Sequence, residues 1–260
     1  IIPWNYPLST AARGLAPALA AGCTVVAKPA EQTPLTALML AELCHQAGVP
    51  AGVCNVVTGT GRDAGAALVR HPGIHHITFT GSVNTGIDVM RSAAANITRL
   101  VLELGGKSPQ VVLDDANIDE AVKAAVFGSF LYQGQICMST ERLVVDESVA
   151  DEFVAKFAAR AKELVMGDPR VNPGCVIGPM VASESGTRLN AMIDDALSKG
   201  AVLACGGKAE GAIMSATIMD HVKPGMTIYG DETFGPITTV VRVKGVEEAI
   251  AVANDTEYGL

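Results

Sequence analysis

The sequence contains no Cys-x-x-Cys pair, although six of its 260 residues are cysteine. That spacing is typical of zinc sites and redox motifs, and dense cysteines are typical of small disulfide-stabilised domains. The scattered thiols indicate neither, so we expect no metal site and a reducing, cytoplasmic environment. A cysteine outside such patterns is usually a small buried hydrophobic residue, and we expect most of the six to be buried.

Positive charge is also scarce. The chain has 19 lysines and arginines against 27 aspartates and glutamates, for a net charge of −8 and a pI near 5.1. Because no Lys/Arg cluster is present, nucleic acid and anionic membrane surfaces are unfavourable partners. No apolar run reaches transmembrane length, and no basic-then-apolar leader opens the sequence. A small molecule is the expected partner.

What is present suits one or two globular domains, since 49% of the residues are hydrophobic and 18% are charged. The chain opens with Ile1-Ile-Pro-Trp4 and stops at Tyr258-Gly-Leu260, after its last helical pattern. This interrupted pattern favours an internal segment of a longer chain.

The first hundred residues alternate between two patterns. Helices are predicted at 8–21, 34–47, 62–70 and 84–94, and strands at 23–27, 54–57, 74–79 and 99–104. Thr33 is a candidate N-cap for the second helix, with Pro34 at its first position. Such alternation predicts an α/β fold with a parallel sheet covered by helices.

A Gly-Gly pair at 105 and 106 precedes a second α/β region. Strands are predicted at 110–113, 143–145, 202–204 and 238–241, and helices at 117–130, 149–165, 184–198 and 246–253. Because consecutive glycines allow a sharp turn between compact units, we place a domain boundary there, with domains at 1–105 and 106–260.

Cys137 and Glu103 are the residues best suited to chemistry. Cys137 follows a polar Gln-Gly-Gln break at the end of a helical stretch, and Glu103 ends an apolar strand 34 positions upstream. A reactive cysteine needs a neighbouring group that favours its thiolate, and a desolvated carboxylate can act as a base. The alternatives are a buried thiol and an exposed strand charge.

Two strand-to-helix junctions are rich in glycine. The segment Phe79–Gly86 would expose backbone N–H groups and the Ser82 hydroxyl, which suit a phosphate, or it is an ordinary turn in which Asn84 caps the helix. The segment Thr58–Gly65 departs from G-x-G-x-x-G spacing and is not a dinucleotide fingerprint. Lys28 and Glu31, after the first strand, are suited to ribose hydroxyls or to a solvated surface.

Six motifs occur in an order that resembles the NAD(P)-dependent aldehyde dehydrogenases over essentially the whole chain. They are Pro3-Trp-Asn-Tyr-Pro7, Lys28-Pro-Ala-Glu-Gln-Thr-Pro34, Phe79-Thr-Gly-Ser82, Leu102-Glu-Leu-Gly-Gly-Lys107, Gly134-Gln-Ile-Cys137 and Glu232-Thr-Phe-Gly-Pro236. The resemblance implies a Rossmann-like cofactor domain at 1–105, lacking its N-terminal part, and an α/β catalytic domain at 106–260, lacking its C-terminal part.

The resemblance also implies a mechanism. Cys137 would attack an aldehyde to form a thiohemiacetal, which loses hydride to leave a thioester, and Glu103 would activate the water that releases the acid. The side-chain amide of Asn5 and the backbone N–H of Cys137 would form the oxyanion hole.

The cofactor residues follow from the same resemblance. They are Lys28 and Glu31 for the adenosine ribose, Gly81 and Ser82 for the pyrophosphate, Glu232 and Phe234 for the nicotinamide ribose and ring, and, in addition, Trp4 and Leu104. Because the Glu31 carboxylate would repel a 2′-phosphate, we expect NAD rather than NADP.

The sequence departs from the family pattern at Arg13-Gly14, where members often carry Trp-Lys, so a proton-relay lysine is missing. This pair and Cys137-Met-Ser-Thr-Glu-Arg142 are closer to the aromatic-aldehyde branch, such as salicylaldehyde, benzaldehyde and vanillin dehydrogenases. A homo-oligomer is expected. Two alternatives stay open: a nucleotide-binding module without catalysis, and a CoA-acylating enzyme, against which Glu103 argues.

Overall fold

The computed structural model describes residues 1–260. It contains two compact units, Ile1–Gly105 and Gly106–Leu260. The assignment of these units to cofactor binding and catalysis stays a prediction.

The first unit alternates helices with short strands. In chain order its elements are α1 (Pro7–Ala20), β1 (Val25–Ala27), α2 (Pro34–Gln46), β2 (Cys54–Val56), a π-helical turn (Gly61–Gly65), α3 (Ala66–Arg70), β3 (His76–Thr80), α4 (Val83–Ala94) and β4 (Arg99–Glu103). Helix α1 continues through Pro17. The helix predicted at 62–70 is instead one π-helical turn followed by the short helix α3.

The strands of the first unit pair in parallel, but as two separate pairs, β1 with β2 and β3 with β4. The single continuous sheet expected from the alternation is not formed by these four strands alone. Ile1 and Ile2 lie between the pairs: Ile2 N donates to Lys28 O at 3.0 Å, and the Ile1 amino terminus donates to Thr78 O at 2.7 Å. A two-residue segment thus connects the edges of the two pairs.

Two capping predictions need correction. Ser82, not Asn84, caps α4, because the Ser82 hydroxyl accepts a hydrogen bond from Thr85 N at 3.3 Å. Thr33 lies at the N-cap position of α2, but its side chain makes no capping bond, and Pro34 occupies the first helical position as predicted.

The second unit begins with β5 (Pro109–Val112) and α5 (Ile118–Phe130). It continues with a 3₁₀ turn (Leu131–Gly134), β6 (Arg142–Asp146), α6 (Glu147–Lys162), α7 (Ser183–Ser198), β7 (Val202–Cys205), β8 (Thr217–Asp220), α8 (Thr227–Gly230), β9 (Ile237–Val243) and α9 (Gly245–Asn254). The sequence patterns did not indicate the 3₁₀ turn, β8 or α8, each of which is only four residues long.

The strands of the second unit form one sheet in the order β5-β6-β9-β8-β7, parallel except for β7. All five residues of β6 are buried, and apolar clusters lie on the sheet, with Leu143 in one and Val144 in the other. This alternation is the pattern of a central strand covered on both faces. No helix of either unit is long and apolar enough to span a bilayer.

Candidate active site

Cys137 follows a backbone segment of uncommon conformation. After α5 ends, Tyr132 and Gln133 have left-handed φ angles of 54° and 56°, and Gly134 has a φ of 66°. A left-handed residue that carries a side chain costs roughly 1–2 kcal/mol, so neighbouring contacts must hold the turn. Cys137 itself lies in the next turn and is half-buried.

Glycines let three segments of the second unit approach closely at this turn. A Cβ on Gly134 would collide with the carbonyl oxygen of Gly235, and a Cβ on Gly106 would lie 2.5 Å from the carbonyl oxygen of Cys137. Gly106 N also donates to the Glu232 carboxylate at 3.0 Å. The predicted residues Cys137 and Glu232 therefore lie in segments that both contact Gly106.

The segment Glu232–Phe234 is held from two sides. Its amides at Thr233 and Phe234 donate to the two carboxylate oxygens of Glu141, at 2.7 and 2.9 Å. On the other side, Arg188 of α7 donates to Glu232 O at 3.1 Å and to Thr233 O at 2.5 Å. Two amides and two carbonyl oxygens of this loop are thus bound by charged side chains.

Lys107 completes the charge balance around Glu141. Its ammonium lies 2.9 Å from Glu141 Oε2, and the two residues are 0% and 3% exposed. Burial lowers the pKa of Lys107, and the attraction of Glu141 opposes that effect. One buried cation and one buried anion therefore compensate each other beneath the loop.

Burial raises the pKa of Glu232 to about 7, although the hydrogen bond from Gly106 N favours the charged form. The negative charge of Glu141 also raises it. A carboxyl group with this pKa is partly protonated near neutral pH and can donate or accept hydrogen bonds.

In the first unit, the structure brings Lys28 to a glycine-rich turn. Lys28 is 2% exposed, and its Nζ donates to Gly59 O at 3.0 Å and lies 3.7 Å from the Glu31 carboxylate. The Glu31 side chain is 51% exposed. The end of β1 and the segment Thr58–Gly65 therefore form one cluster with a solvent-accessible carboxylate.

Glu103 and the Ser82 junction are connected through the backbone. Glu103 ends β4, is half-buried, and accepts a hydrogen bond from Gly81 N at 3.0 Å through its carbonyl oxygen. Leu104 packs so closely on α4 that a Cβ on Gly86 would lie 2.6 Å from it. Trp4 and Asn5 are half-buried in the turn before α1.

The expectation that most cysteines are buried is wrong. Only Cys205 is buried, Cys23 is exposed, and the other four have intermediate exposure. Intermediate burial does not distinguish Cys137 from Cys175, so the position of Cys137 beside Gly106 and after the left-handed turn is what sets it apart.

An apolar groove of about 370 Å³ lies on the second unit at the C-terminal end of α5. Its walls include Phe127 and Phe130 of α5 and Leu131 and Tyr132 of the following turn, with Lys123 among the lining residues. The Phe127 side chain is strongly exposed, so the groove presents aromatic surface to solvent.

Sequence reasoning assigned no role to Lys107, Glu141 or Arg188. Lys107 and Glu141 lie just before β5 and β6, within the family-like segments Leu102–Lys107 and Cys137–Arg142, and this position was the available signal. Arg188 carried no signal, because its partners lie 44 and 45 residues away.

The Aldehyde dehydrogenase family profile matches residues 1–260. Over 263 aligned residues the chain is 54% identical to the salicylaldehyde dehydrogenase of Pseudomonas sp. strain C18, covering 100% of this chain and 54% of that protein. The chain thus spans about half the length of the curated relatives it matches.

Three solved structures also match the full length of this chain. A salicylaldehyde dehydrogenase from Pseudomonas putida G7, complexed with salicylaldehyde, has a TM-score of 0.96 at 53% identity, with 100% of this chain and 54% of that one covered. Betaine aldehyde dehydrogenase from Staphylococcus aureus in complex with NAD+ has a TM-score of 0.95 at 36% identity, covering 100% and 53%. An E. coli NADP-dependent enzyme has a TM-score of 0.96 at 43% identity, covering 100% and 55%.

Proposed function

This chain belongs to the aldehyde dehydrogenase family, and on that premise we propose that the protein oxidises an aldehyde to the carboxylic acid with NAD as hydride acceptor. The observation that carries the proposal is the approach of the Cys137 and Glu232 segments at Gly106, since it joins the candidate nucleophile to a candidate cofactor residue within one unit.

Cys137 is the proposed nucleophile. Its thiolate attacks the aldehyde carbon, and the carbonyl oxygen becomes the oxyanion of a thiohemiacetal, for which Asn5 and the Cys137 N–H are the proposed donors. Loss of hydride from that carbon leaves a thioester. Glu103 then takes a proton from water, the hydroxide adds to the thioester carbon, and cleavage of the C–S bond releases the acid and the Cys137 thiolate.

The polar groups of the first unit fit a dinucleotide. Lys28 and Glu31 offer a donor and an accessible carboxylate for ribose hydroxyls, and Gly81 and Ser82 precede the N-terminus of the 12-residue helix α4, which favours a phosphate. A nicotinamide held by these residues would supply the hydride acceptor. Because the Glu31 carboxylate disfavours a 2′-phosphate, we propose NAD over NADP.

An aromatic aldehyde is the proposed substrate. The groove at the C-terminal end of α5 has aromatic walls, which support a planar apolar substrate because aromatic rings bind well against one another. The 54% identity to a salicylaldehyde dehydrogenase supports the same class. A cytoplasmic location and a homo-oligomeric state stay predictions.

The test is NADH formation by the protein with matched aromatic and aliphatic aldehydes, together with identification of the product. We expect NADH and a free carboxylic acid, with a higher kcat/KM for aromatic aldehydes. NAD binding without NADH would support the non-catalytic module instead. An acyl-CoA product formed only when coenzyme A is added would support the acylating alternative.

A further inference from the structure

Glu141 is a buried carboxylate whose hydrogen bonds serve a loop rather than a substrate. It accepts from Thr233 N, Phe234 N and Lys107 Nζ, at 2.7, 2.9 and 2.9 Å. Two consecutive amides and an ammonium thus converge on one anion, an arrangement that orients a backbone strongly. Glu141 lies only four residues after Cys137 in the chain.

The loop needs such support because its conformation is unfavourable. Phe234 has a left-handed φ of 47°, which a residue with a bulky side chain rarely adopts. Gly235 follows it and leaves no room for a Cβ against Leu189. The hydrogen bond from Phe234 N to the Glu141 carboxylate helps to hold Phe234 in this left-handed conformation.

Arg188 supplies the complementary contacts. Its guanidinium donates to the carbonyl oxygens of Glu232 and Thr233, so the amide side and the carbonyl side of the loop are each held by one charged residue. Gly106 N fixes the Glu232 side chain itself. Glu141 and Arg188 together thus hold the backbone from which Glu232 and Phe234 project.

We propose that Glu141, neutralised by Lys107, is a positioning residue that fixes Glu232 and Phe234 for the nicotinamide half of the cofactor, with Arg188 as its counterpart on the other side of the loop. This inference rests on the proposed function, because it takes the cofactor roles of Glu232 and Phe234 from it. Glu141 acts through the backbone and touches neither substrate nor cofactor.

The central variant is Glu141→Gln, which keeps the shape of the side chain but removes its charge. Asp220→Asn is the matched control, since Asp220 is also a buried carboxylate of the second unit and accepts from Arg242 Nη2 at 2.8 Å and from His221 N at 2.7 Å. Arg188→Ala is a second variant at an exposed residue, where folding is least affected.

The first readout is hydrogen exchange of the peptide that covers 231–236 in the protein without cofactor. We expect faster exchange there in Glu141→Gln and Arg188→Ala and no change in Asp220→Asn. Unchanged exchange in both loop variants would overturn the proposal, whatever the protein's activity.

The second readout is the separation of kcat from KM for NAD, with alkylation of Cys137 by iodoacetamide as a check on the thiol. Because a displacement of about 1 Å can cost roughly 100-fold in rate, we expect Glu141→Gln to lose about 10- to 100-fold in kcat/KM for NAD with wild-type alkylation, and Glu141→Asp to recover part of it. Wild-type values in a folded Glu141→Gln protein would overturn the proposal.

Different results would overturn the proposed function and the positioning role of Glu141. If the wild-type protein makes no NADH from any aldehyde, the proposed function falls, and the cofactor role given to Glu141 falls with it. If the wild type is active and only the stability of Glu141→Gln changes, the proposed function stands and the positioning role is overturned.

Discussion

The two units hold their candidate residues in different ways. In the first unit, Lys28 and Glu31 form a loose pair at 3.7 Å with an accessible carboxylate. In the second, the buried Glu141 carboxylate accepts three hydrogen bonds of 2.7–2.9 Å from the loop and from Lys107. Under the proposed function, the adaptable pair would serve the adenosine end of the cofactor and the fixed backbone would serve the reacting end, where small displacements cost most.

The two units also differ in how deeply their strands are buried. Every residue of β6 is buried in the second unit, whereas β2 of the first unit has three residues of intermediate exposure and none that is fully buried. A well-packed strand resists displacement, because interiors are close-packed and transmit strain. The second unit thus encloses its central strand more completely than the first unit encloses β2.

The largest expected effect comes from the first unit. Glu103→Gln removes the proposed base, and we expect kcat to fall about 10²- to 10⁴-fold while a thioester accumulates on Cys137. Mass spectrometry of the quenched Cys137 peptide measures the acyl adduct. Asp88→Asn, at an exposed carboxylate of α4, is the control. Normal turnover in Glu103→Gln would show that the base lies elsewhere.

Core substitutions test the contrast in packing. Leu143→Ala removes a side chain that is 0% exposed, and we expect it to lower the free energy of unfolding by about 2–5 kcal/mol. Leu100→Ala, at a half-buried position on β4, should cost less than about 2 kcal/mol. Urea denaturation measures both, and equal losses would contradict the difference in core packing.

The preference for NAD over NADP tests the role of the accessible Glu31 carboxylate in the first unit. We expect wild-type kcat/KM to be higher with NAD than with NADP, and Glu31→Gln to raise the NADP/NAD ratio about tenfold, corresponding to a repulsion of roughly 1.4 kcal/mol between partly solvated charges. Glu42→Gln is the control, since Glu42 contacts only the Gln46 amide in this hydrogen-bond pattern, at 2.9 Å. A wild-type preference for NADP would refute the NAD assignment.

The smallest effect concerns the pKa of Glu232, which burial raises to about 7. An ionised carboxylate accepts hydrogen bonds from ribose hydroxyls better than a protonated carboxyl group does. The ionised fraction of Glu232 increases as pH rises through that pKa. We therefore expect the Kd for NAD to fall severalfold between pH about 6 and about 8. Glu232→Gln should remove this pH dependence, and its persistence in that variant would assign the titration to another group.

Much of this arrangement could be predicted from the sequence, because helical periodicity and strand patterns are local. Helix α7 was predicted at 184–198 and spans Ser183–Ser198. The four-residue elements β8 and α8 are too short to carry a periodic signal. The left-handed turn at Tyr132 and Gln133 also had no signal, since neither residue favours that conformation without tertiary contacts.

The hydrogen bonds between Glu141 and the loop Glu232–Phe234 could not be predicted from the sequence for a different reason. Glu141 and Thr233 are 92 residues apart, and only the pairing of β6 with β9 brings their segments together. A motif can mark Cys137 or Glu232 as special, but it does not indicate which buried charge holds the backbone beside them.

The central claim is that Cys137 is the nucleophile, and Cys175 provides the matched comparison, because both thiols have intermediate exposure. The decisive measurement is NADH formation by Cys137→Ala and Cys175→Ala, with NAD binding followed by calorimetry in the same samples. The proposed function predicts no NADH from Cys137→Ala with near-normal NAD binding, and wild-type turnover from Cys175→Ala. Wild-type turnover from Cys137→Ala would contradict it.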